Sequence, residues 1–174
     1  MRFLTFISCL VFLLLNAHAD AQITPTLLDT ELGGAVGDKF GQQVGFSGDW
    51  VAITDERNAQ TALYKVTNGQ ISSMPTQEFT GVVGTGRMMD LQLDTLAIAG
   101  GTQLYFYTGD LVAETWGLNS FFNVNAIPGN ITNFGRQLQL NDDGTYAVFA
   151  GYGALRVFKQ SGGTWIQMSQ STFF

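Results

Sequence analysis

The side chains whose types and spacing could do chemistry are mostly carboxylates. Asp49, Asp94 and Asp143 each stand eight residues after a glycine, Gly41, Gly86 and Gly135, and these glycines are 45 and 49 residues apart. Carboxylates at matched places in a repeating chain could form a ring on one face and hold calcium or a cationic ligand. Calcium, however, takes about six to eight oxygen ligands from a dense loop. An aspartate in a tight turn has a simpler use, since it accepts backbone N–H bonds and tolerates turn geometry. The turn role is the favoured reading for all three, with calcium as the alternative. Adjacent acids occur at Asp55-Glu56 and Asp142-Asp143. Carboxylate pairs support glycoside hydrolysis, but neighbouring acids in turns are commonly just solvated. A carboxylate-dependent glycosidase or lyase therefore ranks below a binding role.

Aromatic residues offer a second kind of chemistry. Trp50, Trp116, Trp165 and the pair Phe121-Phe122 could form a platform that stacks on the apolar faces of sugars, although aromatics in β-proteins more often pack in the core. The stretch from Trp116 to Asn125 reads as an irregular loop between repeats, and loops carry function more often than strands do. Trp116, Phe121 and Phe122, together with Asp55 and Glu56 in another loop, are the candidate ligand-binding residues. Phe40-Gly41 and Phe134-Gly135 read as packing instead. There the glycine permits close backbone approach and the ring fills the space between repeats.

Much other chemistry is excluded by composition. The first residues, MRFLTFISCLVFLLLNAHADAQ, carry Arg2, an apolar run of 13 residues from Phe3 to Leu15, and small residues at Ala17, Ala19 and Ala21. This is the pattern of a secretory signal peptide cut after Ala19 or Ala21, and the run falls short of the roughly 20 residues that span a bilayer. Its removal takes Cys9 and His18, the only cysteine and histidine. The 153 residues that follow Ala21 then have no disulfide, no thiolate, no histidine base and no ordinary zinc or copper site. The expected destination is the exterior, or the periplasm in a bacterium. An acidic balance, with a sequence pI near 4.4, argues against nucleic acid and anionic membrane surfaces.

The remaining sequence repeats. Phe40-Gly41-Gln42-Gln43-Val44-Gly45-Phe46 matches Thr85-Gly86-Arg87-Met88-Met89-Asp90-Leu91 and Phe134-Gly135-Arg136-Gln137-Leu138-Gln139-Leu140. After each matched aspartate comes a second alternating run, at 50–53, 95–98 and 146–149, the last with one residue inserted. Third runs follow at 62–66, 104–107 and 154–158, then glycine turns at 67–69, 108–110 and 161–163, then fourth runs at 70–79, 111–116 and 164–169. Alternation with period two, broken by Gly, Asn and Asp, predicts short antiparallel strands joined by hairpins. Four strands in about 45–50 residues is the size of a propeller blade.

Gly37-Asp38-Lys39-Phe40-Gly41, followed by Phe46-Ser47-Gly48-Asp49-Trp50-Val51-Ala52-Ile53 and Ala62-Leu63-Tyr64-Lys65-Val66, resembles an FG-GAP repeat, the blade unit of integrin-alpha-type β-propellers. It is most similar to the secreted variant, in which a short Ser-Gly-Asp turn replaces the calcium loop. The second copy departs from the pattern with Thr85 in place of Phe, and the D-x-D-x-D-G loop of the metal-binding version is approached only at Asn141-Asp142-Asp143-Gly144. The resemblance covers residues 33–170. It implies an all-β fold and a non-enzymatic module that presents loops to protein or glycan.

The expected organisation is a signal peptide at 1–21, a leader or edge strand at 22–32, and three four-stranded repeats at 33–80, 81–129 and 130–174. Closed propellers have about four to eight blades, so three blades call for completion. A longer protein, a second copy and a compact three-bladed form are the three ways to supply it. Asn130-Ile131-Thr132 fits an N-glycosylation acceptor.

Overall fold

The computed structural model describes residues 40–55, 59–80, 88–100, 103–123, 134–151 and 154–172. The signal segment, the leader, Glu56, Gly86 and Asn130 lie outside them. All regular structure among the described residues is β, in three antiparallel sheets. The first holds β1 (Phe40–Ser47), β2 (Trp50–Asp55), β3 (Gln60–Thr67), β4 (Gln70–Ile71) and β5 (Gln77–Phe79); the second holds β6 (Met88–Gln92), β7 (Thr95–Gly100), β8 (Gln103–Asp110) and β9 (Thr115–Asn123). The third holds β10 (Phe134–Leu140), β11 (Tyr146–Gly151), β12 (Ala154–Ser161) and β13 (Thr164–Thr172). Each sheet is a blade whose strands lie in chain order, and the whole is part of a β-propeller.

Turn chemistry sets these hairpins. Asn68 and Gly69 both have positive φ between the paired residues Thr67 and Gln70, as do Gly162 and Gly163 between Ser161 and Thr164. Two positive-φ residues make the type I′ loop whose twist matches that of the strands it joins. The fourth run of the first repeat differs from expectation. It is split into β4 and β5, both paired to β3, and Ser72 bridges the interruption by accepting from the Lys65 N–H and donating to the Met74 carbonyl. Gly41 differs too. Its φ of +76° lies in a bulge between Phe40 and Val44, and a Cβ there would meet nothing within 4 Å. Backbone conformation, rather than close approach, is what requires glycine at Gly41. Phe40 is half-buried against Val51, Ile53, Ala62 and Tyr64, all of its own sheet. Phe134 and Gly135 open β10 at a matching register shift.

Strand alternation gives each blade two faces, and the blades stack face to face. Trp50, Ala52, Leu63 and Phe79 on the leading face of blade 1 pack against Met89, Leu91, Leu96, Ile98 and Trp116 on the trailing face of blade 2. The leading face of blade 2, with Met88, Ala97, Ala99, Leu104 and Phe106, packs in turn against Leu140, Ala147, Phe149, Phe158 and Trp165 of blade 3. Phe106 lies flat on Trp165 with 4.0 Å between ring centroids. Side chains from one blade also satisfy the backbone of the next. Gln77 Nε2 donates to the Trp116 carbonyl at 2.8 Å while its Oε1 accepts from the Trp116 N–H at 3.0 Å, and Ser120 Oγ accepts from the Trp165 N–H at 3.0 Å. Ser47 Oγ accepts from Leu93 N–H, and Asp90 Oδ2 from Leu140 N–H.

Gly109 corrects another expectation. It belongs to β8 and not to a turn, because the chain reverses at residues 111–114, where the Asp110 carboxylate accepts from the Val112 and Ala113 N–H groups. Glycine is needed at 109 because a Cβ would sit 2.7 Å from the Trp116 ring, its cross-strand partner. Gly109→Ala should lower the free energy of unfolding by about 1–3 kcal/mol in urea titration. Gly117→Ala, where the added Cβ meets nothing within 4 Å, should stay within about 0.5 kcal/mol of the parent.

Candidate functional site

The aromatic candidates separate into core and surface. Trp116 is 5% exposed and lies edge-on to Trp50 at 6.0 Å, so it forms part of a seam and offers no ring to a ligand. Phe122 is likewise drawn inward, against Phe106 and Phe158. The stretch read as an irregular loop is strand β9 as far as Asn123. Its alternation sends Trp116 and Phe121 to the trailing face and Phe122 to the leading face. The loop expectation failed because Asn and Gly in 116–123 sit where a strand is half-exposed, with a bulge at Asn119 that lets its side chain reach Thr108 Oγ1 and the Gly163 carbonyl.

Phe121 stays at the surface, 47% exposed, and heads a row of rings. Its centroid is 4.8 Å from Tyr105, Tyr105 stacks on Tyr107 at 6.4 Å, and Tyr107 meets buried Phe79 at 4.4 Å. The row is open at its outer end because β9 has nine residues while β5, facing it from blade 1, has three. Phe79 is the last residue of β5 and reaches Tyr107; Tyr105 and Phe121 lie one same-face step further along the ladder. Leu118, paired with Tyr107 and 57% exposed, extends the same patch. The Tyr105 hydroxyl donates to Gln103 Oε1 at 2.8 Å. Burial raises the pKa of Tyr105, and burial together with the neighbouring Tyr105 raises that of Tyr107, so both hydroxyls are protonated donors at neutral pH. Sequence reasoning singled out Phe121 but missed Tyr105 and Tyr107. Their signal was the alternation Tyr105-Phe106-Tyr107, which gives two rings to one face. Asp55 is not brought to this row, since it lies on the trailing side of blade 1 at the end of β2.

The aspartate series does not survive into three dimensions as a matched set. The Asp49 carbonyl accepts from Val66 N–H and the Asp94 carbonyl from Gly109 N–H, each at 2.7 Å, closing the second hairpin of its blade. In blade 3 the same bond, from Gln160 N–H, goes to the carbonyl of Thr145 and not of Asp143. The turn of blade 3 is longer, so a count of eight from the glycine ends short of the structural counterpart. What recurs is a backbone carbonyl. Asp143 caps its own turn, with Oδ1 accepting from the Thr145 N–H at 2.9 Å and the Thr145 hydroxyl at 2.5 Å. Among the described residues no three His, Cys, Asp or Glu side chains group closely enough to share a metal.

Arg156 was not foreseen. It is fully buried beside Phe158 on the trailing face of blade 3, its Nη1 donates to Gln167 Oε1 at 3.2 Å, and burial lowers its pKa. The alternation of β12 puts Arg156 on the same face as Phe158, which is the one sequence sign that it turns inward.

No family model matches the chain, and no curated protein matches it. Solved structures do. A protein from Lactobacillus plantarum matches with a TM-score of 0.60 at 20% identity, over 78% of this chain and 42% of that one. A periplasmic gluconolactonase of Pseudomonas aeruginosa matches with a TM-score of 0.55 at 16% identity, over 72% and 37%. The β-propeller domain of Cps50 (Swd1) from Myceliophteria thermophila matches with a TM-score of 0.50 at 13% identity, over 72% and 41%. This chain therefore spans less than half the length of these structures, and what they share with it is the propeller fold.

The hydrogen bonds of the Asp143 turn set how its carboxyl titrates. The Thr145 hydroxyl bond, then the Thr145 N–H bond, hold the Asp143 carboxyl below its ordinary value of 3.8. A lowered value in the folded state gives stability that is present above the unfolded value and lost as pH falls through the folded one. Carboxyl titration by NMR should find the Asp143 pKa low in the parent and raised in Thr145→Val, which removes the hydroxyl and keeps the N–H.

Proposed function

We propose that this chain is a non-enzymatic binding module of an exported propeller, built from repeats of the FG-GAP type. The apolar N-terminal segment with its small-residue cleavage pattern supports export, and the Phe-Gly and Ser-Gly-Asp motifs of the first copy support the repeat assignment. The observation that carries the binding role is the open end of the aromatic row, where Phe121 and Leu118 are 47% and 57% exposed beside Tyr105. Rings and an aliphatic side chain, flanked by a hydroxyl and the Gln103 carboxamide, make a surface for non-covalent capture. The two tyrosine hydroxyls of the row have raised pKa values, which disfavours the phenolate a nucleophile needs.

An extended protein segment is the ligand this surface fits best. Leu118 adds an aliphatic contact that sugar stacking does not use, and β9 is the edge strand of its sheet, so a segment can pair with it while placing side chains on the row. A glycan is the alternative ligand. Enzymatic use of a related fold, as the gluconolactonase name indicates for that protein, finds no support in the residues of the row.

Selection from a displayed random-peptide library, run beside a panel of soluble polysaccharides, tests this reading. Peptides should be retained, and Phe121→Ala should weaken them at least about tenfold, equivalent to about 1.4 kcal/mol, with thermal stability unchanged. Retention of polysaccharide alone would replace protein with glycan. Peptide binding that is indifferent to Phe121→Ala would remove the row from the binding surface.

A further inference from the structure

Gln77 does to β9 what a neighbouring strand would do. Its Nε2 donates to the Trp116 carbonyl and its Oε1 accepts from the Trp116 N–H, so both backbone groups of that residue are satisfied from outside the sheet. They face outward because antiparallel pairing alternates. The Gly109 N–H, opposite Trp116, is spent on the Asp94 carbonyl. Gly109, Tyr107 and Tyr105 therefore turn their backbone groups towards β7, and their partners Trp116, Leu118 and Phe121 turn theirs away from β8. β9 is the last strand of its sheet. Its open edge is closed at Trp116 and, among the described residues, carries no such cap at Leu118 or Phe121. In blade 3 the Trp165 N–H is likewise satisfied from the preceding blade, by Ser120 Oγ.

The spacing of the open part is fixed by the bulge. Leu118 and Phe121 are three residues apart in β9, yet their partners Tyr107 and Tyr105 are two apart in β8, because Asn119 takes up the extra residue. The Asn119 side chain holds that bulge: Nδ2 donates to Thr108 Oγ1 at 3.1 Å and to the Gly163 carbonyl at 2.8 Å, and Oδ1 accepts from Ser120 Oγ at 2.8 Å. Leu118 and Phe121 thus stand one pleat apart on the trailing face, both exposed. Residues directly opposite each other on paired strands share a face, and their side chains meet. A segment laid along this edge sets alternate side chains against Leu118 and Phe121. Its next alternate position falls at Trp116, where Gln77 already stands.

We infer that the extended segment bound at β9 carries two apolar side chains separated by one residue, seated against Leu118 and Phe121, and that Gln77 ends the pairing at Trp116. This rests on the peptide-binding role proposed above and names the sequence pattern that the site selects. Gln77 is a positioning residue: it touches the strand that binds and sets the register of what is bound. A segment whose apolar residues are spaced by two would turn one of them to the opposite face of the sheet.

Two peptides of equal composition test this, acetyl-Thr-Lys-Phe-Thr-Val-Lys-Thr-amide and acetyl-Thr-Lys-Phe-Thr-Lys-Val-Thr-amide, titrated into the isotope-labelled chain with amide exchange read by NMR. The first should bind at least about tenfold more tightly than the second. It should slow exchange at the Leu118 and Phe121 N–H groups and leave the Trp116 N–H, slow already in the free chain, unchanged. A longer form of the first peptide, with one more valine in the same alternation, should bind Gln77→Ala at least about fivefold more tightly than it binds the parent. The short form should bind both alike, whereas a merely structural role of Gln77 would weaken both forms. Equal affinity for the two patterns, unchanged exchange at Leu118 and Phe121, or a variant that treats both lengths alike would each overturn the proposal. If Gln77→Ala does not fold, the pattern and exchange results on the parent decide. Library peptides retained while neither of these binds would overturn the spacing and leave the binding surface standing; no retention in either experiment would remove both.

Discussion

Everything described depends on the fit of one sheet's leading face to the next sheet's trailing face. A single four-stranded sheet leaves apolar residues exposed on both sides, and each such face must be buried against another element. Stacking removes that exposure. Ala52, Ala97 and Leu91 are fully buried because another blade covers them, and each buried large apolar side chain contributes about 1.5–3 kcal/mol relative to exposure. The flat stack of Phe106 on Trp165 adds about 0.5–1.5 kcal/mol beyond its area. Side chain to backbone bonds from Gln77, Ser120, Asp90 and Ser47 then fix the register of one blade against the next. The part-buried bonds from Gln77, Ser120 and Asp90 satisfy groups that a misaligned seam would leave without partners, at a cost of about 1–3 kcal/mol each.

The same constraint accounts for the surface on which binding is proposed. A seam is closed only as far along as both blades supply strand. Blade 1 ends its outer edge in two short pieces, and blade 2 answers with the nine-residue β9. The mismatch exposes the end of a row of rings whose inner members are packed, so the exposed ring is held in place by the core behind it. A rigid aromatic surface of this kind loses little conformational entropy when something binds to it.

Much of this architecture was legible in the sequence because period-two alternation and Gly-rich turns report directly on strands and hairpins. The all-β class, the blades and the I′ turns at Asn68-Gly69 and Gly162-Gly163 follow from local residues alone. The readings that failed needed contacts distant in sequence. Gly109 looks like a turn residue until the Trp116 ring is placed beside it, and Trp116 looks like a ligand platform until Trp50 covers it. The aspartate series failed for a different reason. Counting from a glycine assumes equal turns, whereas blade 3 spends extra residues in a turn that Asp143 and Gly144 accommodate. The burial of Arg156 was signalled only by parity with Phe158, since alternation tells which face a residue takes but not how completely that face is covered.

The seams make the blades one cooperative structure. All three tryptophans report on it, because Trp50 and Trp116 lie in the first seam and Trp165 in the second, each 3–5% exposed. Urea unfolding followed by tryptophan emission and by far-ultraviolet circular dichroism is the direct measurement. Seams that hold the blades as one unit give blue-shifted native emission and a single transition with the same midpoint by both probes. Red-shifted native emission, or an emission change that precedes loss of strand signal, would show that the sheets stand without their seams and would contradict that cooperativity.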